Sequence, residues 1–334
     1  MKAAAKRDAR PTLLVALGGN ALIRKGQSGT INEQFENLRV PVRQIASLAE
    51  SFNIIITHGN GPQVGNLLLQ QECCGSVPKL PLEILVAQTQ GQIGYMIESV
   101  LDEALMEQGA GFTPLVSLIT YVVVDQHDPA FAHPTKPIGP AFTADEAARL
   151  AYPTIKTAKG FRRVVASPNP LTIIEKREID RLIHSGFIVI CCGGGGIPVV
   201  RKGRAFNGVD AVIDKDLASA LLAEEVGVDL LVIATDVEGV MAAFDTPGQQ
   251  LISRLDVFQA ETLLRGGSAG EGSMAPKIEA AVRFLKSGGR RAVITSIAKI
   301  VAGVQGTAGT QVVAADHPLN LSIKKRKTRS RPLC

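Results

Sequence analysis

The sequence predicts an α/β fold in which helices cover both faces of a mainly parallel sheet. Three observations carry this expectation. Short apolar runs rich in β-formers, at 12–17, 54–57, 187–190, 230–234 and 292–296, alternate with stretches of helical periodicity, the pattern of repeated βα units. None of these runs contains a charge, as strands buried on both faces require. Three of them, 12–17, 54–57 and 187–190, end directly in glycine-rich turns. In an open parallel sheet, ligands bind beyond the carboxyl ends of the strands.

The first run, T-L-L-V-A-L, exits through Gly18, Gly19 and Asn20. Two glycines let the backbone turn sharply and bring its N–H groups against a ligand with no Cβ in the way. Asn20 is placed to cap the next segment, whose first N–H groups would face the same space. The pattern describes an anion cradle. An ordinary tight turn is the alternative for one Gly-Gly-Asn, and its recurrence favours the cradle. Residues 32–51 form the next predicted helix, with Leu38, Val42, Ile45, Leu48 and Ala49 as its apolar stripe. The second exit carries His58, Gly59, Asn60 and Gly61. Gly59, Gly61 and Gly65 approach a dinucleotide fingerprint, but the last gap is one residue too long. No acidic residue ends a second strand about twenty residues later, which counts against a Rossmann dehydrogenase. His58 is assigned no catalytic role, because a histidine at a strand end is more often structural. Residues 82–108 read as one long helix in which Gly91 and Gly94 permit close packing.

Residues 117–166 change character, with a β-rich Y-V-V-V, five prolines between Pro129 and Pro153, and a basic cluster at 156–163. They read as an excursion from the sheet, a lid or small subdomain with Lys136 at its tip. Asp125, His127 and Asp128 lack metal-site spacing and read as a polar loop. Residues 173–185 read as helical and lead to the third exit, Cys191, Cys192 and Gly193 to Gly196. The densest chemistry is D-A-V-I-D-K-D at 210–216, where Lys215 stands between Asp214 and Asp216 ahead of a helix at 217–226. The strand at 230–234 ends in T-D-V-E-G, a mobile glycine loop is expected at 266–272, and S-M-A-P-K places Pro276 near a helix start. Residues 292–296 are the last clear core strand.

The 334 residues suffice for one large α/β domain or two ordinary ones. The net charge of +5 belongs to the ends: without the ten bases and one acid of 1–10 and 322–334, 26 Lys and Arg face 30 Asp and Glu. A body at −4 offers no nucleic-acid face. The basic C-terminal tail reads as solvated and disordered, with nucleic acid, lipid or a partner as its alternative contact. The five cysteines form two adjacent pairs and a terminal residue, without zinc-site spacing. They fit a reduced, cytoplasmic compartment. No apolar run reaches the ~18 residues of a membrane span. Walker A, protein-kinase, G-x-S-x-G and zincin motifs are absent.

Seven runs together resemble carbamate kinase, of the amino-acid kinase superfamily. They are V-A-L-G-G-N-A (15–21), H-G-N-G-P-Q-V-G-N-L-L (58–68), T-Q-G-Q-I-G-Y (89–95), T-K-P-I-G (135–139), C-G-G-G-G-I-P-V (192–199), D-A-V-I-D-K-D (210–216) and G-S-M-A-P-K-I-E-A-A (272–281). The resemblance covers roughly 12–312 and implies a three-layer αβα sandwich with a protruding subdomain, typically a homodimer. It implies one domain over 11–316, a subdomain at about 118–165, and basic tails at 1–10 and 320–334 outside it. The implied reaction is reversible phosphoryl transfer between ATP and carbamate, giving ADP and carbamoyl phosphate, with Mg²⁺ bound on the nucleotide phosphates. The resemblance puts Gly18, Gly19, Asn20, Gly59, Asn60 and Gly61 around carbamoyl phosphate. It puts Lys136, Lys215 and Lys277 on the phosphoryl group, with Asp216 organising them. The nucleotide side falls on Gly194, Gly195, Thr235, Asp236, Val237, Phe244, Met274 and Lys277.

Three departures are visible. F-R-R-V-V-A-S-P (161–168) stands where the family commonly has W-R-x-V-V-P-S-P, and T-D-V-E-G-V is closer to other superfamily kinases. Many superfamily relatives end the first strand in a lysine, where this chain has Ala16. Lys136 is the candidate to replace that charge from above, with Pro137 stiffening its backbone. The alternatives are a superfamily kinase acting on an amino-acid carboxylate or nucleoside monophosphate, and a non-catalytic nucleotide-binding regulator.

Overall fold

The computed structural model describes residues 10–73, 75–109, 113–157, 160–243, 246, 248–266 and 274–314. Its centre is an eight-stranded sheet. The strands lie in the order Arg254–Asp256, Thr310–Val313, Arg291–Ser296, Leu230–Thr235, Thr12–Leu17, Asn53–His58, Ile188–Ile190 and Leu115–Ser117. Neighbours run parallel except Thr310–Val313 against Arg291–Ser296. Thr310–Val313, absent from the sequence reading, adds an antiparallel strand beyond the last expected one.

The period of two in a strand sorts its side chains onto two faces. Leu13, Val15 and Leu17 join one core with the helices Ile31–Leu48 and Leu82–Glu107. Leu14 and Ala16 join the other with Lys176–His184, Lys215–Val226, Val257–Arg265 and Met274–Lys286. All six residues of Thr12–Leu17 are buried, because both faces are covered. This is the expected αβα sandwich. Residues 173–176 differ from the sequence reading: Ile173 closes the strand Pro170–Ile173, and the helix begins at Lys176. Gly94 does pack closely, since a Cβ there would meet Ser117 Oγ at 2.7 Å, whereas Gly91 faces open space. Among the described residues no helix is long and apolar enough to cross a membrane.

The strand order decides where a ligand can lie. The chain leaves Thr12–Leu17 for Asn53–His58 on one side and later crosses to Leu230–Thr235 on the other. The crevice over the carboxyl end of Thr12–Leu17 is thus the switch point of the sheet.

The excursion carries a small sheet of its own. Lys136–Phe142, Gly160–Val165 and Thr154–Thr157 form a three-stranded antiparallel sheet. Asp125 and Asp128 accept backbone N–H bonds from His127, Ala130 and Asn169, so their carboxylates are engaged by backbone donors. The sheet docks on the helix Gly61–Cys73 through two glycines. A Cβ on Gly65 would lie 1.9 Å from Gly139 Cα, and Gly139 itself has φ +70, so glycine is required on both sides. Arg163 joins this contact by pairing with Glu72 at 2.8 Å and stacking 4.2 Å over the Tyr152 ring.

Gly65→Ala is expected to force the excursion from the helix and to destabilise the protein by about 1–3 kcal/mol. Urea unfolding reads this as a lowered midpoint. A midpoint unchanged from the parent would show that the two backbones do not meet.

Candidate functional site

The helix Lys215–Val226 starts where Asp214 caps it. Asp214 Oδ1 accepts the N–H of Asp216 at 2.8 Å and of Leu217 at 3.3 Å. Asp216 in the first turn suits the positive helix end. Lys215 beside it does not, and its ammonium is instead held by Asp216 Oδ1. Lys277, on Met274–Lys286, donates to Asp216 Oδ2 at 3.2 Å. Asp216 is 2% exposed and Lys277 6%, so two cations and one anion share a nearly dry space. Ser219 Oγ donates to the Lys215 carbonyl at 2.6 Å and lies 2.7 Å from Thr57 Oγ1, which ties the helix head to the sheet.

Burial by itself would raise the Asp216 carboxyl, but Lys215 and Lys277 outweigh it through charge and hydrogen bonds and hold it down at about 2. The stability that these pairs contribute is present above the ordinary 3.8 and lost as pH falls toward 2. Burial pushes the Lys215 ammonium below its ordinary value, Lys277 repels it further, and Asp216 and Asp214 partly restore it. A third lysine arrives from the excursion. Lys136 is the first residue of its strand, and its Nζ donates to Asp214 Oδ2.

The glycine turns face this cluster. Gly18 N–H donates to Ala234 O at 2.9 Å and Gly59 N–H to Leu17 O at 3.0 Å, so both exits are fastened to neighbouring strands. A Cβ on Gly59 would lie 3.4 Å from Gly19 N and 3.5 Å from Lys215 Cδ. The cradle and the lysine therefore meet. Asn20 lies within the 3-10 turn Gly19–Ala21, whose cap is Gly18 without a side-chain bond; it does not cap the helix as the sequence suggested. Gly61 opens the helix Gly61–Cys73, with open space where a Cβ would stand.

Behind the cradle a polar brace holds the turns in place. Asn60 Nδ2 donates to Thr89 Oγ1 at 2.8 Å. Gln90 donates to Thr120 O and Gly193 O and accepts from Thr120 N–H, while Thr120 Oγ1 accepts from Cys192 N–H. Gly194, at φ +66, has room for no Cβ, which would fall 2.2 Å from Asn60 Nδ2. His58 is buried beneath Gly193; burial pushes its imidazole down to about 4, a bond to the Gly59 carbonyl opposes this, and Lys215 adds to it.

On the other side of the switch point, Thr235 is buried next to Gly18 and donates to Asp236 Oδ1 at 3.1 Å. Asp236 is exposed and Val237 half-buried at this strand exit. Met274 begins the helix that carries Lys277, one turn away. Gly194 and Gly195 are not brought to this side: they lie by Asn60 and Ile213, at the end of a strand three positions from Leu230–Thr235. Phe244 and most of the 266–272 loop lie outside the described residues. Sequence reasoning missed Asp214, Thr89, Gln90 and Thr120. Asp214 had a signal, an Asp directly ahead of a helix start; the others become legible only when the long helix is laid against the turns.

Residues 11–296 match the amino acid kinase family. The chain is 44% identical over 309 residues to a carbamate kinase of Pyrococcus horikoshii, covering 90% of this chain and 98% of that protein. It superposes on the carbamate kinase of Giardia lamblia bound to citric acid with a TM-score of 0.86 at 36% identity, covering 92% of this chain and 99% of that one. For the same Giardia lamblia enzyme bound to AMP-PNP the TM-score is 0.83, at 36% identity and with the same coverage. With its parallel sheet, glycine turns and paired lysines, the chain belongs to the amino acid kinase family and, within it, to the carbamate kinases.

Proposed function

We propose that the protein catalyses reversible phosphoryl transfer between ATP and carbamate, giving ADP and carbamoyl phosphate. The observation that carries this reading is one buried aspartate holding two lysines at a helix N-terminus that faces glycine turns. Phosphoryl transfer needs in-line alignment and charge compensation on the transferring oxygens, and little covalent chemistry from the protein. Backbone N–H groups of Gly19 and Gly61, in turns that Gly18 and Gly59 fasten to neighbouring strands, hold the acceptor together with Asn20 and Asn60. Lys215, Lys277 and Lys136 neutralise the charge that develops on the phosphoryl group, and Asp216 keeps two of them oriented before it arrives. The acceptor oxygen of carbamate is already ionised, so His58 abstracts no proton.

Thr235, Asp236, Val237 and Met274 form the nucleotide side in this reading, and Lys277 joins the two sides. Among the described residues no group of three or more His, Cys, Asp or Glu is placed to chelate a cation. Asp214 and Asp216 are engaged by ammonium groups. The donor set fits Mg²⁺ held by nucleotide phosphates and water rather than by a protein cage. When bound, it supplies further neutralisation of phosphate charge. A homodimer belongs to the same reading, supported by Val40, Tyr95 and Met106, exposed at 43%, 65% and 66% on the adjoining helices Ile31–Leu48 and Leu82–Glu107. So does a reducing, cytoplasmic setting, supported by free Cys73, Cys191 and Cys192, with ATP formation from carbamoyl phosphate as the working direction.

The test is a coupled assay in which the purified chain, with Mg²⁺ and ADP, forms ATP from carbamoyl phosphate. No ATP here, together with phosphorylation of an amino-acid carboxylate or a nucleoside monophosphate, would overturn the assignment in favour of another superfamily kinase. In the same assay Asp216→Asn is expected to lose most turnover while circular dichroism stays native. Lys136→Ala is expected to cut turnover on the order of 10²- to 10³-fold, the scale of losing one preorganised charge-stabilising donor, with ADP affinity little changed. A Lys136→Ala enzyme within about threefold of the parent, a barrier change under ~1 kcal/mol, would remove that lysine from the mechanism.

His58 makes a prediction about pH. Its imidazole titrates at 6.5 when exposed and at about 4 in the native protein. As pH falls from 6.5 to 4 the unfolded chain therefore binds a proton that the folded one refuses, and stability drops across that window. His58→Gln should remove a fall of on the order of 1–3 kcal/mol from the chemical-unfolding profile. Equal slopes in the two proteins would mean that His58 is not buried as a neutral ring.

A further inference from the structure

We propose that Asp214 is the positioning residue for Lys136, so that the cap of the helix Lys215–Val226 also seats the excursion's lysine at the phosphoryl site. This rests on the reading above, in which Lys136 acts on the transferring group. The two oxygens of Asp214 are divided between two tasks. Oδ1 accepts the N–H groups of Asp216 and Leu217, and Oδ2 accepts from Lys136 Nζ. Two backbone bonds hold the carboxylate still, and its side chain is only 11% exposed. It is a fixed anchor, unlike the mobile partner of a surface ion pair.

Three features make an anchor necessary. Lysine carries its charge on a flexible four-carbon stem, and ordering it costs rotamer entropy. Lys136 stands at the first position of a strand whose sheet reaches the body through the Gly65–Gly139 contact, so its ammonium must cross from one unit to the other. The destination already holds the ammonium groups of Lys215 and Lys277 against the single carboxylate of Asp216. A third cation entering there would be repelled. Asp214 supplies the second carboxylate and brings the cluster from +2 to +1, which leaves an attraction for a phosphoryl group. The Lys136 side chain remains 35% exposed. An ammonium has three donors, so two beyond the one given to Asp214 can turn toward phosphate oxygens.

Asp214 and Asp216 thus divide the lysines. Asp216 orients the two that belong to the sandwich, and Asp214 receives the one that the excursion brings. Docking of the excursion and completion of the charge set are then a single event at the head of one helix.

The test compares Asp214→Asn, Lys136→Ala and the double variant in the coupled assay, alongside thermal unfolding of each. Asparagine still caps a helix, so Asp214→Asn should unfold at the parent's temperature. It should lose turnover roughly 10- to 100-fold, the scale of a misplaced catalytic group. The double variant should be no slower than Lys136→Ala alone, because the aspartate's effect on turnover runs through the lysine. If Asp214→Asn does not fold, Asp214→Ser, which also caps without charge, takes its place. Turnover near the parent's in Asp214→Asn, with Lys136→Ala impaired, overturns the inference and leaves the role of Lys136 standing. Losses that multiply in the double variant overturn it as well, since Asp214 would then act by another route. An unimpaired Lys136→Ala fails the underlying reading of that lysine, and the inference with it.

Discussion

The ion cluster around Asp216 is the constraint that the rest of the site serves. Two unit charges about 4 Å apart near a protein surface interact by about 4 kcal/mol, and Lys215 and Lys277 are held together in a nearly dry space. Without the carboxylate between them they would repel each other and seek water. With it, both ammonium groups stand oriented in the free protein, the preorganised charge on which the proposed phosphoryl transfer draws. The low pKa of Asp216 and the lowered one of Lys215 express the same balance from its two sides.

The sheet explains how such a cluster comes to face a substrate. Thr12–Leu17 lies between Asn53–His58 and Leu230–Thr235, so its exit opens into the crevice where the strand order reverses. The glycines there permit close approach of three turns, and the brace through Thr89, Gln90 and Thr120 keeps them from collapsing into the space. The helix Lys215–Val226, fastened to the sheet by Ser219 and Thr57, then presents its positive end to the same point.

The excursion adds a charge that the first strand lacks. Ala16 is buried within the sheet and carries nothing into the crevice. Lys136 reaches the cluster from a three-stranded sheet that is pressed onto Gly61–Cys73 at a glycine–glycine contact and tied to the body through Ala166. Geometry at Gly65 therefore bears on where that charge stands, though the contact itself is between two backbones.

Much of this was legible in the sequence. Uncharged β-rich runs and the periodicity of residues 32–51 and 82–108 specify buried strands and covering helices, because burial on two faces or on one stripe leaves that pattern in any chain. Gly18, Gly59 and Lys215 were readable for a similar reason, since turns with close ligand approach and charges at helix starts are local events. Other features were decided by the tertiary structure alone. The capping bond of Asp214 is local, but its contact with Lys136 joins residues 78 apart. The brace on Gly193 depends on Gln90, 103 residues away. The placement of Gly194 beside Asn60 rather than Thr235 followed from strand order, which a run of glycines does not encode. Periodicity reports which side of an element is buried; which distant charge or backbone it is buried against is set by the packing of the whole chain.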